Sequence, residues 1–362
     1  NHTSSIVNID KINKNIEINV GNSHIYVKKI FTPEHGLNND YQAGEKIMGD
    51  MSYNIPIVSL YGESFKPRYD ELKDLDALIF DIQDIGSRYY TYISTLTNIM
   101  DVCSEFDLPL YILDRPNPVG SDISGPILDM KYSSFVGMHP IPIVHGMTIG
   151  EVAYMINELG WVSGPVDLKI VKMKGWNRQM NFENTGKKWI APSPNIANNN
   201  TAFIYQGTCL IEGTNLSEGR GTDKPFFYIG APWLNSKKLL IELNKLNLEG
   251  VDFYNKVFTP RTILGKVSNP KFEYQQCNGI GINIKDRKKA SPLLITVHII
   301  DIVNRMHPNE FWFNPDNFID KLYGSDHLRK IILSNGDIDS LFKKWENDQL
   351  IFEKKREPFL LY

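Results

Sequence analysis

The sequence predicts an α/β protein organised on a mainly parallel sheet, and three observations carry that prediction. Apolar, β-branched runs recur at Ile25–Ile30, Ile55–Tyr61, Ala77–Asp84 and Pro109–Asp114, each short enough for a strand. The third run is almost continuously apolar, the pattern of a strand covered on both faces. Between it and the fourth, Ile93, Leu96, Ile99, Met100 and Cys103 repeat at helical spacing over residues 92–106. Strands alternating with helices in this way form parallel crossover units.

Along the chain, residues 8–20 lack a clear period and read as a short helix followed by an extended piece. The strand at 25–30 leads into Phe31-Thr-Pro-Glu34-His35-Gly36-Leu37. Pro33 cannot donate a ladder hydrogen bond and Gly36 permits a sharp turn, so the strand ends here. The polar segment from Asn38 to Met51 reads as a long loop. Ile141–Gly146 is a short extended piece. Thr148 with Glu151 three residues on makes a capping box, opening a helix that Gly160 stops near Leu159.

Leu168–Met173 is a further strand and Ile190–Asn195 a rigid connector. Helices are expected over 232–248, begun at Pro232, and over Pro292–Met306. A last amphipathic helix runs over Asp337–Lys355, with Leu341, Phe342 and Trp345 on one face. A boundary in the region 165–200 divides a first domain, residues 1–165, from a second, residues 166–362.

With 362 residues the chain has room for two to three domain-sized units. Its 42% hydrophobic and 22% charged residues are those of an ordinary globular protein. A net charge of −3, without an arginine-rich stripe, argues against a nucleic-acid partner. Cys103, Cys209 and Cys277 are too scattered for a disulfide framework or a zinc site and read as small core residues. No apolar run reaches the length of a membrane span, and no signal peptide is evident. The chain opens at Asn1 on what reads as a loop, so an upstream segment is expected to have been removed.

Ligands bind at the carboxyl ends of strands in parallel sheets. Three strand ends here carry polar clusters: Glu34 with His35; Gln83 and Asp84 with Arg88; and Asp114 with Arg115 and Asn117. One such cluster is ordinary turn polarity, whereas three at one end of a sheet point to a site. The run Glu212-Gly-Thr-Asn215-Leu-Ser217-Glu218-Gly-Arg220-Gly-Thr222 is the most polar and glycine-rich in the chain. A flexible surface loop is the plain alternative, yet Gly/Ser linkers rarely interleave Glu, Asn and Arg so densely. This run is expected to fold toward the strand ends of the first domain.

Several chemistries are excluded. The chain has no GxxxxGK[ST] nucleotide loop, no GxGxxG and no GxSxG elbow. His35, His139 and His145 lack metal-ligand spacing, and no motif calls for a cofactor. What remains is a set of carboxylates, Glu34, Asp84, Asp114, Glu212 and Glu218. Glycosidic cleavage needs such a set, one acid and one base or nucleophile. Aromatic rings and amides for a sugar are available in Tyr89, Tyr90, Asn117, Asn195 and Asn215. Arg88, Arg115 and Arg220 suit a substrate carboxylate or phosphate, although an internal salt bridge is the commoner role of any single arginine.

Seven motifs then occur in order: Asn1-His-Thr3, Pro33-Glu-His-Gly36, Phe80-Asp-Ile-Gln-Asp-Ile-Gly-Ser-Arg-Tyr-Tyr-Thr91, Asp114-Arg-Pro-Asn-Pro118, His145-Gly-Met-Thr148, Pro192-Ser-Pro-Asn195 and Glu212-Gly-Thr-Asn215 through Thr222. Over essentially its whole length the chain resembles the exo-β-N-acetylmuramidase family typified by NamZ. Members usually carry a strand just before the first motif, which this sequence does not contain.

The resemblance implies a Rossmann-like domain and a smaller α+β domain with the active site in the cleft between them. It implies release of terminal N-acetylmuramic acid (MurNAc) from the non-reducing end of peptidoglycan fragments such as MurNAc-GlcNAc, in cell-wall turnover and recycling. A secreted or periplasmic location is favoured. Glu34 is placed as the leading catalytic carboxylate, the general acid, with His35, Asp84 and Glu212 as further catalytic candidates. Gln83, Arg88, Tyr90, Asp114 and Asn117 are expected to line the first-domain wall. Asn195, Asn215, Ser217, Glu218, Arg220 and Thr222 are expected to close the sugar pocket. An arginine, Arg88 ahead of Arg220, is expected to hold the lactyl carboxylate that separates MurNAc from GlcNAc. The alternatives are a non-catalytic muropeptide-binding or sensing protein and, behind it, a cell-wall esterase or amidase.

Overall fold

Residues 17–20, 23–37, 45 and 55–362 are described by a computed structural model of the chain. The expected helix before residue 17, the Asn1-His-Thr3 motif and the loop over 38–51, apart from Glu45, lie outside the described residues.

An antiparallel pair, β1 (Glu17–Val20) and β2 (Ser23–Tyr26), precedes the first parallel one. There β3 (Ile30–Thr32) lies along β4 (Ile57–Ser59), with Ile30 opposite Ile57 and Thr32 opposite Ser59. After the single turn α1 (Tyr69–Leu72), β5 (Leu78–Phe80) opens a second parallel sheet. The crossover helix α2 (Tyr92–Glu105) leads from it to β6 (Leu110–Leu113). Parallel neighbours need such a crossover, and α2 supplies it by burying Ile93, Leu96, Ile99, Met100, Val102 and Cys103.

An antiparallel pair follows, β7 (Ser124–Ile127) and β8 (Pro142–Val144). Then come α3 (Ile149–Glu158) and β9 (Leu168–Val171). The capping box that opens α3 is formed as expected, Thr148 and Glu151 exchanging side-chain to backbone hydrogen bonds, and Gly160 lies past its end with φ +62°. β9 hydrogen-bonds in parallel along β6, giving the order β5-β6-β9. The first sheet region therefore draws its last strand from beyond residue 165.

The second half contains α4 (Asn199–Thr208) and then a three-stranded antiparallel sheet of order β10-β12-β11. Its strands are β10 (Tyr228–Ala231), β11 (Val251–Phe258) and β12 (Cys277–Ile284), with α5 (Ser236–Lys245) after β10. α5 starts later than Pro232 because Asn235 accepts a hydrogen bond from the Lys238 amide and sets the cap there. Four helices complete the chain: α6 (Pro292–Met306), α7 (Phe318–Tyr323), α8 (His327–Leu333) and α9 (Asp339–Arg356).

One hydrophobic cluster runs through both halves, from Leu78, Ile85 and Leu96 to Ile229, Ile299 and Trp345. α9 returns to the first half, burying Leu341, Trp345 and Phe352. Its Asp348 accepts from the Ile127 amide at 3.1 Å, and its Arg356 donates to the carbonyls of Ser121, His145 and Gly146. The three cysteines are free and buried, and burial pushes the Cys103 and Cys277 thiols up to about 12, as for inert core residues. Among the described residues no helix is long and apolar enough to cross a membrane.

Candidate active site

β3 stops at Thr32, and a tight turn follows in which the Gly36 amide donates to the Pro33 carbonyl at 3.1 Å. His35 and Gly36 are both left-handed, with φ +77° and +71°. For a residue with a side chain that conformation costs about 1–2 kcal/mol, and such strain concentrates at functional sites. It also removes the strand alternation that would send Glu34 and His35 to opposite faces.

Glu34 is buried at the junction of three elements, only 6% exposed. Thr91, the residue that starts α2, donates its hydroxyl to Glu34 Oε2 at 2.6 Å. Tyr61, just past β4, hydrogen-bonds the same carboxylate. Burial, then the charge and hydrogen bond of Glu34, push its phenol well above the ordinary value, so it stays a proton donor.

Asp84 lies just past β5 and is also buried. Its Oδ2 accepts from the Gly86 amide at 2.7 Å, while Oδ1 has no hydrogen-bond partner among the described residues. Burial raises this carboxyl to about 7 against the pull of the Gly86 and Ile85 amides. His145 Nε2 stands 3.9 Å from Oδ2. Burial, helped by Arg356 and Arg88, drops His145 to about 3, so the imidazole is neutral. Its Nδ1 accepts from the Met147 amide at 3.2 Å, which puts the ring proton on Nε2, toward Asp84. Gln83 ties this strand end together by donating to the carbonyls of Asp84 and Pro116. Tyr90 is buried against Tyr92 and Tyr205, with ring centroids 4.8 and 6.1 Å away.

The glycine-rich run of the second half is pinned. Arg220 donates from Nε and Nη2 to Glu212 Oε1, at 2.9 and 2.8 Å, and lies over the Phe226 ring. Lys271 Nζ donates to the carbonyls of Ile211, Thr214 and Leu216 and stands 3.2 Å from Glu218 Oε2. Tyr205 packs on Tyr89, Tyr90 and Phe226, so one aromatic chain links this run to the strand-end residues.

Comparison with known proteins decides what this assembly is. Residues 1–200 match the family described as exo-beta-N-acetylmuramidase NamZ, N-terminal, and residues 203–362 match its C-terminal counterpart. The chain belongs to the NamZ exo-β-N-acetylmuramidase family. It is 40% identical over 354 residues to the peptidoglycan beta-N-acetylmuramidase NamZ of Bacillus subtilis (strain 168), a match covering 97% of this chain and 83% of that protein. Two crystal structures of DUF1343 family proteins from Bacteroides fragilis are similar to it. They superpose with TM-scores of 0.83 and 0.74 at 34% and 37% identity, each match covering 92% of this chain and 85% of the other.

Within this NamZ-family chain the structure sorts the residues expected to touch substrate. Arg88 is 1% exposed, and its guanidinium donates to the carbonyls of Pro126, Ile141 and Leu322, each at 2.9 Å. Both terminal nitrogens are bonded to carbonyls, so in this structure the guanidinium serves as a buried strut. Asp114 accepts from the amides of Arg115 and Gly150 and the hydroxyls of Thr148 and Tyr362, so it anchors the start of α3 and the chain end. Asn117 bonds the Met147 carbonyl and the Val119 amide, and packs against Gly86 so closely that a Cβ there would meet its Oδ1 at 2.4 Å.

Asn195 bonds the Lys266 carbonyl, and Asn215 bonds the Glu310 carbonyl and the Trp312 amide. Ser217 accepts from the Gly219 amide and Thr222 donates to the Gly219 carbonyl, both shaping the run they belong to. These amides and hydroxyls, all but Thr222 from buried residues, satisfy backbone, as buried polar groups must. Of the rings expected to serve a sugar, Tyr89 and Tyr90 are both buried. Tyr61 and Thr91 were missed as partners of Glu34. The signal for Tyr61 was available, since it closes the second strand run much as Glu34 closes the first.

Proposed function

We propose that this protein is an exo-acting β-N-acetylmuramidase that releases terminal MurNAc from the non-reducing end of peptidoglycan fragments such as MurNAc-GlcNAc, serving cell-wall turnover and recycling. The observation that carries the proposal is Glu34. It is a buried carboxyl at a parallel strand end, oriented by Thr91 and Tyr61, in a chain 40% identical to a peptidoglycan beta-N-acetylmuramidase.

In this reading Glu34 is the general acid that protonates the glycosidic oxygen as the bond to the MurNAc anomeric carbon breaks. Water oxygen ends up bonded to that carbon, and a proton from the water returns to the enzyme. Thr91 and Tyr61 hold its carboxyl in one orientation, which a directed proton transfer requires. Asp84, poised near neutrality and backed by the His145 ring, is the second carboxyl group. Glu212 acts through Arg220, keeping the glycine-rich run in shape as the far wall of a cleft between the two halves.

The test is chromophore release from para-nitrophenyl β-MurNAc, with the β-GlcNAc glycoside and Glu34→Gln alongside. Turnover of the MurNAc compound alone, abolished in Glu34→Gln, is the expected result. Turnover that survives Glu34→Gln removes Glu34 from the chemistry, and absence of turnover by folded wild-type protein overturns the enzymatic reading.

A further inference from the structure

Three aromatic rings stand together next to Glu34, and the catalytic reading uses only the hydroxyl of one of them, Tyr61. Tyr61, whose hydroxyl bonds Glu34, meets Phe65 edge to face, with ring centroids 5.4 Å apart and planes at 89°. Phe135, from the loop between β7 and β8, packs at 4.5 Å from Phe65 and 5.9 Å from Tyr61. Phe65 is 40% exposed, and the other two are half-buried. The trio lies outside the main hydrophobic cluster, so the core does not account for it. Two loops from different parts of the sheet region thus bring three rings to the surface at the one carboxylate placed to protonate a glycosidic bond.

Pyranose rings carry an apolar face of C–H groups, and aromatic rings are what such a face packs on, burying area without demanding charge. A residue that protonates the glycosidic oxygen has one sugar on each side of it. In an exo-acting enzyme the terminal sugar occupies the closed end, and the remainder of the substrate points to solvent. Open rings at the rim therefore meet the departing part. We propose that Tyr61, Phe65 and Phe135 form the binding platform for the leaving-group sugar, the GlcNAc ring of MurNAc-GlcNAc. This rests on the muramidase reading above.

The test compares MurNAc-GlcNAc with β-MurNAc fluoride, which presents the same reacting sugar but no second ring. Wild type, Phe65→Ala, Phe135→Ala and Phe65→Tyr are assayed on both. The alanine variants lose roughly tenfold in kcat/KM on the disaccharide, mainly through KM, but less than about twofold on the fluoride, and Phe65→Tyr recovers the loss. Equal losses on the two substrates show that the rings only pack the loops together and overturn the platform, as does no loss on the disaccharide. If wild type hydrolyses neither substrate, the muramidase reading fails on its own. Calorimetric titration of MurNAc-GlcNAc into wild type and Phe65→Ala then decides the platform: weaker binding by the variant supports it, and equal or absent binding overturns it.

Discussion

The Thr91 hydroxyl reaches Glu34 Oε2 at 2.6 Å across 57 residues of chain, joining the start of the crossover helix to the turn after β3. In the proposed muramidase mechanism, a carboxyl so held is pre-oriented for one proton transfer. Glu34→Gln should keep the fold and lose on the order of 10²–10⁴-fold in kcat. Thr91→Val and Tyr61→Phe, each removing one hydroxyl from the carboxyl, should cost about tenfold. Initial rates on MurNAc-GlcNAc, with circular dichroism as the control for folding, check all three.

Arg88 should behave as a strut. Burial lowers its guanidinium to about 10, so it is still charged at neutral pH. Removing its side chain takes a donor from the carbonyls of Pro126, Ile141 and Leu322, of which Ile141 keeps the Leu128 amide. Arg88→Ala should destabilise by about 3–5 kcal/mol, and Arg88→Lys should fail to restore stability because an ammonium cannot reproduce the planar fork. Urea unfolding measures this. An Arg88→Ala protein of normal stability that had merely lost its preference for MurNAc over GlcNAc would restore the substrate-binding role.

Asp84 gives a pH dependence whose sign is set by burial. Its carboxyl is raised from 3.8 to about 7 in the folded protein, so its contribution to stability is fully present below 3.8 and is lost as pH rises through about 7. Asp84→Asn is neutral in both states, and its side-chain oxygen can still accept from the Gly86 amide. The thermal midpoint of the variant relative to wild type should therefore rise between about pH 5 and about pH 8. A difference that is flat across that range would show that the carboxyl titrates normally.

Asp114→Ala should cost about 2–3 kcal/mol, because the Gly150 amide, the Thr148 hydroxyl and the Tyr362 hydroxyl all lose their acceptor. The loss should appear in thermal melts and leave the ratio of MurNAc to GlcNAc glycoside turnover unchanged. A shift in that ratio would return Asp114 to the substrate wall.

Much of the frame was legible from local pattern. The crossover helix over 92–106, the capping box at Thr148 and the helix opening at Pro292 all appear where spacing placed them. These features depend on neighbours within a few residues, which periodicity and capping chemistry report directly. The turn that carries Glu34 was legible for a similar reason, since a proline and a glycine bracket it at a strand end. Strand 168–171 was recognised as a strand, but its membership of the β5-β6-β9 sheet was not, because register with β6 is a contact between segments far apart in the chain.

The sequence by itself determined the α/β class, the strand ends that carry polar groups and the family to which the chain belongs. Only the tertiary structure decided which of those polar groups are available. Arg88 reads in sequence as an anion-binding arginine, yet its three acceptors lie 38, 53 and 234 residues away. Asp114 likewise reads as a site carboxylate until Tyr362 arrives from 248 residues on. A buried donor or acceptor must find a partner, and in a folded chain that partner is set by proximity in space, which residue type and spacing do not record.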